Sequence, residues 1–101
     1  MTTKTIKPIS VPSIDALETA HTFPANYLIK IIGPDSAPFR DGAKKACLKH
    51  LGQTAQVDVS ERQSKNGQHL ALTLRFKVAT PQIVQEIYKD LAQLAGLKFI
   101  I

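Results

Sequence analysis

The sequence has one cysteine, Cys47, and no tryptophan. A lone thiol cannot close an internal disulfide, so the fold must hold without a covalent staple, and a reducing cytoplasm is the expected setting. His21 and His50 belong to no Cys/His set with metal-ligand spacing, so no metal site is expected, and no cofactor is called for. Apolar runs are short. None approaches the ~20 residues of a membrane-spanning helix, and Met1-Thr2-Thr3-Lys4-Thr5-Ile6-Lys7-Pro8 lacks the apolar block of a signal peptide. Acidic residues are scarce, 8 against 13 basic, for a net charge of +5. That balance favours meeting anionic partners and says nothing about fold. There is no internal repeat and no low-complexity tract.

What is present is a pattern. The chain has 101 residues and 44% hydrophobic content, which suits one soluble domain with a thin single core. Residues 69 to 78 alternate without a miss: Leu70, Leu72, Leu74, Phe76 and Val78 are large and apolar, while His69, Ala71, Thr73, Arg75 and Lys77 are small, polar or basic. Side chains on a strand point to opposite faces in turn, so one face of this strand is core.

The other elements follow from the same rules. Pro8, Pro12 and Pro24 interrupt residues 1–24, read as a flexible leader with a short helical turn at Ile14 to Ala20 capped by Ser13. The ordered domain is expected over 25–101. Tyr27-Leu28-Ile29-Lys30-Ile31-Ile32 is a strand, central because it is apolar on both faces, and Gly33-Pro34 ends it. A helix capped by Ser36 and stopped at Gly52 carries Phe39, Ala43, Ala46, Cys47, His50 and Leu51 as its apolar stripe, with Leu48 opposite it. Gly42 inside this helix points to a close approach to the sheet. Gln56 to Arg62 is an edge strand with Val57 and Val59 facing the core. Gln63-Ser64-Lys65-Asn66-Gly67 is a hairpin turn. Thr80-Pro81 opens a second helix, with Ile83, Val84, Ile87, Leu91 and Leu94 on its apolar face and Tyr88 at its margin. Leu97 to Ile101 is a last short strand.

Strand, helix, strand, strand, helix, strand is the order of a split βαβ unit. The expected fold class is therefore α+β, ferredoxin-like, with a four-stranded antiparallel sheet in the order 4-1-3-2 and both helices on one face.

Phe23-Pro24-x-x-Tyr27-x-Ile29-Lys30-Ile31-Ile32-Gly33, then Ser64-x-x-Gly67, then Val84-x-x-Ile87-Tyr88-x-x-Leu91, taken in this order, resemble the YbeD-like family of small bacterial proteins from about Leu17 to Ile101. The resemblance implies a ferredoxin-like fold similar to ACT-type regulatory domains. It implies no established activity and brings no catalytic residues. It suggests a regulatory link to lipoate biosynthesis, because family members often lie beside those genes. This chain departs from the family at His69, where an aromatic residue is common, and at Ala71, where serine is common.

Three surfaces are left over for function. The open face of the sheet carries Lys30, Arg62, Arg75, Lys77 and Lys98, with Asp58 its lone acid. A basic sheet of this architecture suits phosphate backbones, but Lys30, Ala71 and Thr73 stand where a base-stacking platform needs aromatics. Leu28, Ile32 and Ile100 share the open-face parity and form an apolar patch, to be covered by a second copy or by the N-terminal segment. The loop Gly33-Pro34-Asp35-Ser36 precedes a helix N-terminus, where unpaired amides attract anions. Cys47 and His50 lie one turn apart, but on the apolar stripe, with no Asp or Asn evidently placed to orient the imidazole; the thiol is expected to serve packing. The chain is thus expected to be a non-enzymatic module that binds a protein partner or a small ligand, with weak, sequence-independent nucleic-acid binding through the basic face as the alternative.

Overall fold

Each helix starts on a hydroxyl. A computed structural model of the chain describes residues 11–64 and 67–101. Its elements are α1 (Ile14–Ala20), β1 (Ala25–Pro34), α2 (Ala37–Leu51), β2 (Val57–Gln63), β3 (His69–Val78), α3 (Pro81–Leu91) and β4 (Phe99–Ile100). The Ser13 hydroxyl accepts from the Ala16 amide at 3.1 Å, that of Ser36 from Phe39 at 3.3 Å and that of Thr80 from Ile83 at 3.4 Å. Each satisfies one amide that the first helical turn leaves without a partner. The Met1–Pro8 stretch and the Lys65-Asn66 step of the hairpin lie outside the described residues.

The sheet is antiparallel, in the order β2-β3-β1-β4. This is the order expected from the sequence, read from the opposite edge. β3 pairs with β1 over ten positions, from Ala25 opposite Val78 to Pro34 opposite His69. Leu70, Leu72, Leu74, Phe76 and Val78 are all buried, as their alternation requires. They meet Tyr27, Ile29 and Ile31 of β1, Phe39, Ala43, Ala46 and Cys47 of α2, and Val84, Ile87 and Leu91 of α3 in one cluster. No helix among the described residues is long and apolar enough to cross a membrane.

Several local expectations change. From Val11 onward the expected loose leader is packed. Leu17 of α1 is 2% exposed, and Val11 and Phe23 rest against the core. Gln85 of α3 donates its side-chain amide to the Pro12 carbonyl at 3.2 Å. Tyr88 is buried rather than marginal, its hydroxyl 3.2 Å from that of Tyr27. Burial, then this hydrogen bond, raises its pKa. Gly42 makes its close approach to a loop, not to the sheet: a Cβ there would stand 2.7 Å from Leu94 Cδ2. Leu48 is half-buried. Val59 keeps its core-side parity but is 39% exposed, because β2 is an edge strand that the helices barely reach.

Candidate functional site

The sheet buries one face under the helices and leaves the other open. Register fixes who stands where. Leu28, Arg75 and Asp58 form one row across β1, β3 and β2. Lys30, Thr73 and Ser60 form the next, then Ile32, Ala71 and Arg62. Asn26 faces Lys77 at the far end. The cations Lys30, Arg62, Arg75 and Lys77 therefore do share this face. Among the described residues none of them has an ion pair. Arg75 donates to the Ser60 hydroxyl at 3.3 Å.

The last strand corrects two positions. Ile31 lies opposite Ile100, and Ile32 opposite Phe99. Ile100 is thus on the core side and 9% exposed. The open-face positions are Phe99, 48% exposed, and Ile101, 70% exposed, whose amide and carbonyl both bond to Lys30. Lys98 lies just before β4, outside this alternation. The apolar strip is therefore Leu28, Ile32, Phe99 and Ile101. The sequence concealed this because Phe99, Ile100 and Ile101 are all apolar, so only their pairing with β1 sets the parity.

Two shallow hollows flank the strip. One, of about 490 Å³, is lined by Asn26, Leu28, Asp58, Arg75 and Lys77. The other, of about 260 Å³, is lined by Lys30, Ile32, Arg62, His69 and Ala71. The helical segment at Ile14–Ala20 packs on α3, on the far side of the sheet, and does not cover this face.

The loop Gly33-Pro34-Asp35-Ser36 is engaged within the protein. A Cβ on Gly33 would stand 2.4 Å from the Phe39 ring, so the glycine makes room for that ring. Asp35 is paired with Arg40 and accepts from the Gln63 amide. Arg40 also reaches Glu61 of β2 at 3.0 Å. Asp35 first, then Glu61, raises the Arg40 pKa and keeps the guanidinium charged. Ser36 is the helix cap.

Cys47 is fully buried, and burial pushes its thiol up to about 12. The thiol is protonated and sealed at neutral pH. His50 does have an acid, against expectation: its Nε2 lies 2.7 Å from Asp90 Oδ2. Asp90 is 40 residues away and on α3, a distance that no spacing rule reaches. Lys49 approaches the same oxygen at 3.5 Å. For Asp90 burial acts upward, but the bond to His50 and the charges of His50 and Lys49 outweigh it and lower the pKa. This group ties α2 to α3 and places no nucleophile in solvent.

A family model described as a protein of unknown function (DUF493) matches residues 18–101. A UPF0250 protein of Shewanella woodyi is 27% identical over 79 residues, spanning 78% of this chain and 88% of the relative. Among solved structures, the ACT domain from GTP pyrophosphokinase of Chlorobium tepidum matches with a TM-score of 0.53, over 76% of this chain and 97% of that one. The identity there is 11%, so the likeness is one of fold alone.

Proposed function

The chain belongs to the DUF493 family, the YbeD-like proteins whose motifs it resembles, and we propose that it is a non-enzymatic, ACT-like regulatory module that works by binding a protein partner. The observation that carries this reading is the strip on the open sheet face. Leu28, Phe99 and Ile101 are 49%, 48% and 70% exposed; Phe99 pairs with Ile32, and Ile101 bonds to Lys30, which stands between Ile32 and Leu28 on this face of β1. A contiguous apolar strip on an otherwise polar surface is the usual mark of a protein contact. Its surroundings select the partner. Lys30, Arg62, Arg75 and Lys77 lie on the same face without ion pairs among the described residues. A partner with an apolar centre and an acidic rim meets both demands. A second copy docked face to face would bring the cations of both copies together.

The non-enzymatic reading draws support from Cys47, whose thiol is buried, and from His50, which is held by Asp90. The cytoplasm is the proposed location, and lipoate metabolism the proposed process. The second rests on the family resemblance alone.

The test compares full-length protein with the Leu28→Glu/Phe99→Glu double variant as baits in an extract of the native host, with Lys44→Glu/Lys45→Glu on the exposed side of α2 as a control. The expected outcome is a defined protein partner that the control retains, that the strip variant loses, and that salt weakens. Capture identical for the wild type and the strip variant sinks the reading. Capture abolished by nuclease would transfer the face to nucleic acid.

A further inference from the structure

We propose that the hollow around Ala71 on the open face binds a small anion with a short apolar body, a carboxylate or a phosphate ester. This goes beyond the protein contact, with which it shares Lys30, Ile32 and Arg62, by assigning that part of the face a ligand of its own. The hollow exists because a methyl group stands in the middle of a row of larger side chains. Ala71 of β3 has Ile32 of β1 on one side and Arg62 of β2 on the other. Lys30 is one row away, opposite Thr73, and His69 shares the face two residues along β3. Neighbouring strands run about 4.8 Å apart, so all three nitrogen-bearing side chains reach the space above Ala71.

Their chemistry converges. Lys30, Arg62 and His69 all line the hollow, and among the described residues no side-chain partner occupies any of the three. The nearest acidic side chains are committed elsewhere. Glu61 lies on the opposite face of β2 and is paired with Arg40, as is Asp35. Asp58 stands two rows away, beside Arg75. A charged side chain left with no counter-ion on a sheet face is unfavourable beside its like-charged neighbours, and a bound anion relieves that. Ile32 supplies the apolar wall.

Size narrows the ligand. The hollow is about 260 Å³, below the range of about 300–1,000 Å³ that holds drug-sized molecules. It fits one anionic head group and a few carbons, not a nucleotide. Arg62 is the side chain able to grip a carboxylate or phosphate with two parallel N–H donors, and Lys30 adds a point charge.

The test is titration of the isotope-labelled full chain, followed by amide chemical shifts, with sodium acetate, sodium hexanoate and inorganic phosphate as separate probes. Saturable shifts are expected at Lys30, Ile32, Arg62, His69 and Ala71. Hexanoate should bind more tightly than acetate if the Ile32 wall contributes. Whether hexanoate or phosphate saturates first identifies the head group. Arg62→Gln, an exposed change, should weaken binding about tenfold. Ala71→Phe, which fills the hollow from a half-buried surface position, should abolish it. Leu28→Glu, two rows from Ala71, should cost partner capture and leave anion binding intact, so the failure of the partner reading and the failure of this one are separable. Shifts that never saturate, or that persist unchanged in both Arg62→Gln and Ala71→Phe, overturn the proposal. So does a response to a single-stranded oligonucleotide without one to any of the three anions.

Discussion

At Gly33 one missing carbon decides how the core closes. The residue stands in β1 at the point where the Phe39 ring folds back onto the sheet, and a Cβ would lie 2.4 Å from that ring. In the sequence it reads as the first residue of a ligand loop, because Gly-Pro before a helix cap is also what an anion site uses. Nothing local separates the two meanings; the deciding contact is six residues on and depends on the rotation of α2. Gly33→Ala should therefore destabilise the fold by about 1–3 kcal/mol, the range for inserting a methyl group into a packed site. Urea unfolding measures it, and an unchanged midpoint would show that the ring moves aside freely. Cys47 offers the opposite case, legible from its place on the apolar stripe. Its thiol is buried and held up at about 12. An aromatic disulfide reagent at about pH 8, half a unit below the ordinary thiol pKa, should leave the native protein unlabelled and react only along the unfolding transition. Prompt labelling of the folded chain would contradict the burial.

Among the elements, the strands and helix starts were readable because local rules set them. Strict alternation defines β3, and a hydroxyl followed by a helical run defines each cap. What could not be read is how elements meet. α1 looks like a minor turn in a proline-broken leader, yet Leu17 completes the core beneath it. β4 is two residues long, too short to display a period. The α2–α3 contact rests partly on His50, Lys49 and Asp90, whose separation in the chain hides their association. This contact has a pH signature. The Asp90 carboxyl is held below its usual value, since the bond to His50 and the charges of His50 and Lys49 outweigh the upward pull of burial. A depressed carboxylate contributes stability above its unfolded pKa of about 4 and loses it as pH falls through the folded value. Asp90→Asn should thus melt below the wild type near neutral pH, with the gap closing as pH falls below about 4. Melting curves across that range check it. A gap that stays constant into strong acid would mean that packing, not charge, is what the variant lost.

For the whole molecule the uneven distribution of charge matters more than its total. The net charge of +5 appeared in the sequence as scattered basic residues, and the alternation of β3 already placed several of them on one face. The assembled sheet adds where the other acids pair. Asp35, Glu61, Glu86 and Asp90 are all in ion pairs away from the open face, which leaves Asp58, opposite Arg75, as the one acidic side chain among Lys30, Arg62, Arg75 and Lys77 beside the apolar strip. The two features pull in opposite directions for a second copy. Burying Leu28, Ile32, Phe99 and Ile101 twice favours a two-fold dimer, while pressing four cations against four opposes it. Repulsion across such a contact is unscreened when the Debye length exceeds the gap, as at about 0.01 M salt where it reaches ~30 Å, and collapses near 1 M where it is ~3 Å. The chain should therefore sediment as a monomer at low salt, with any association through the strip appearing only as salt rises. An acidic partner should show the reverse trend, binding most tightly at low salt. A dimer that forms at low salt and is dissolved by Leu28→Glu/Phe99→Glu would show that apolar burial outweighs the charge, and the open face would then belong to self-assembly rather than to a foreign partner.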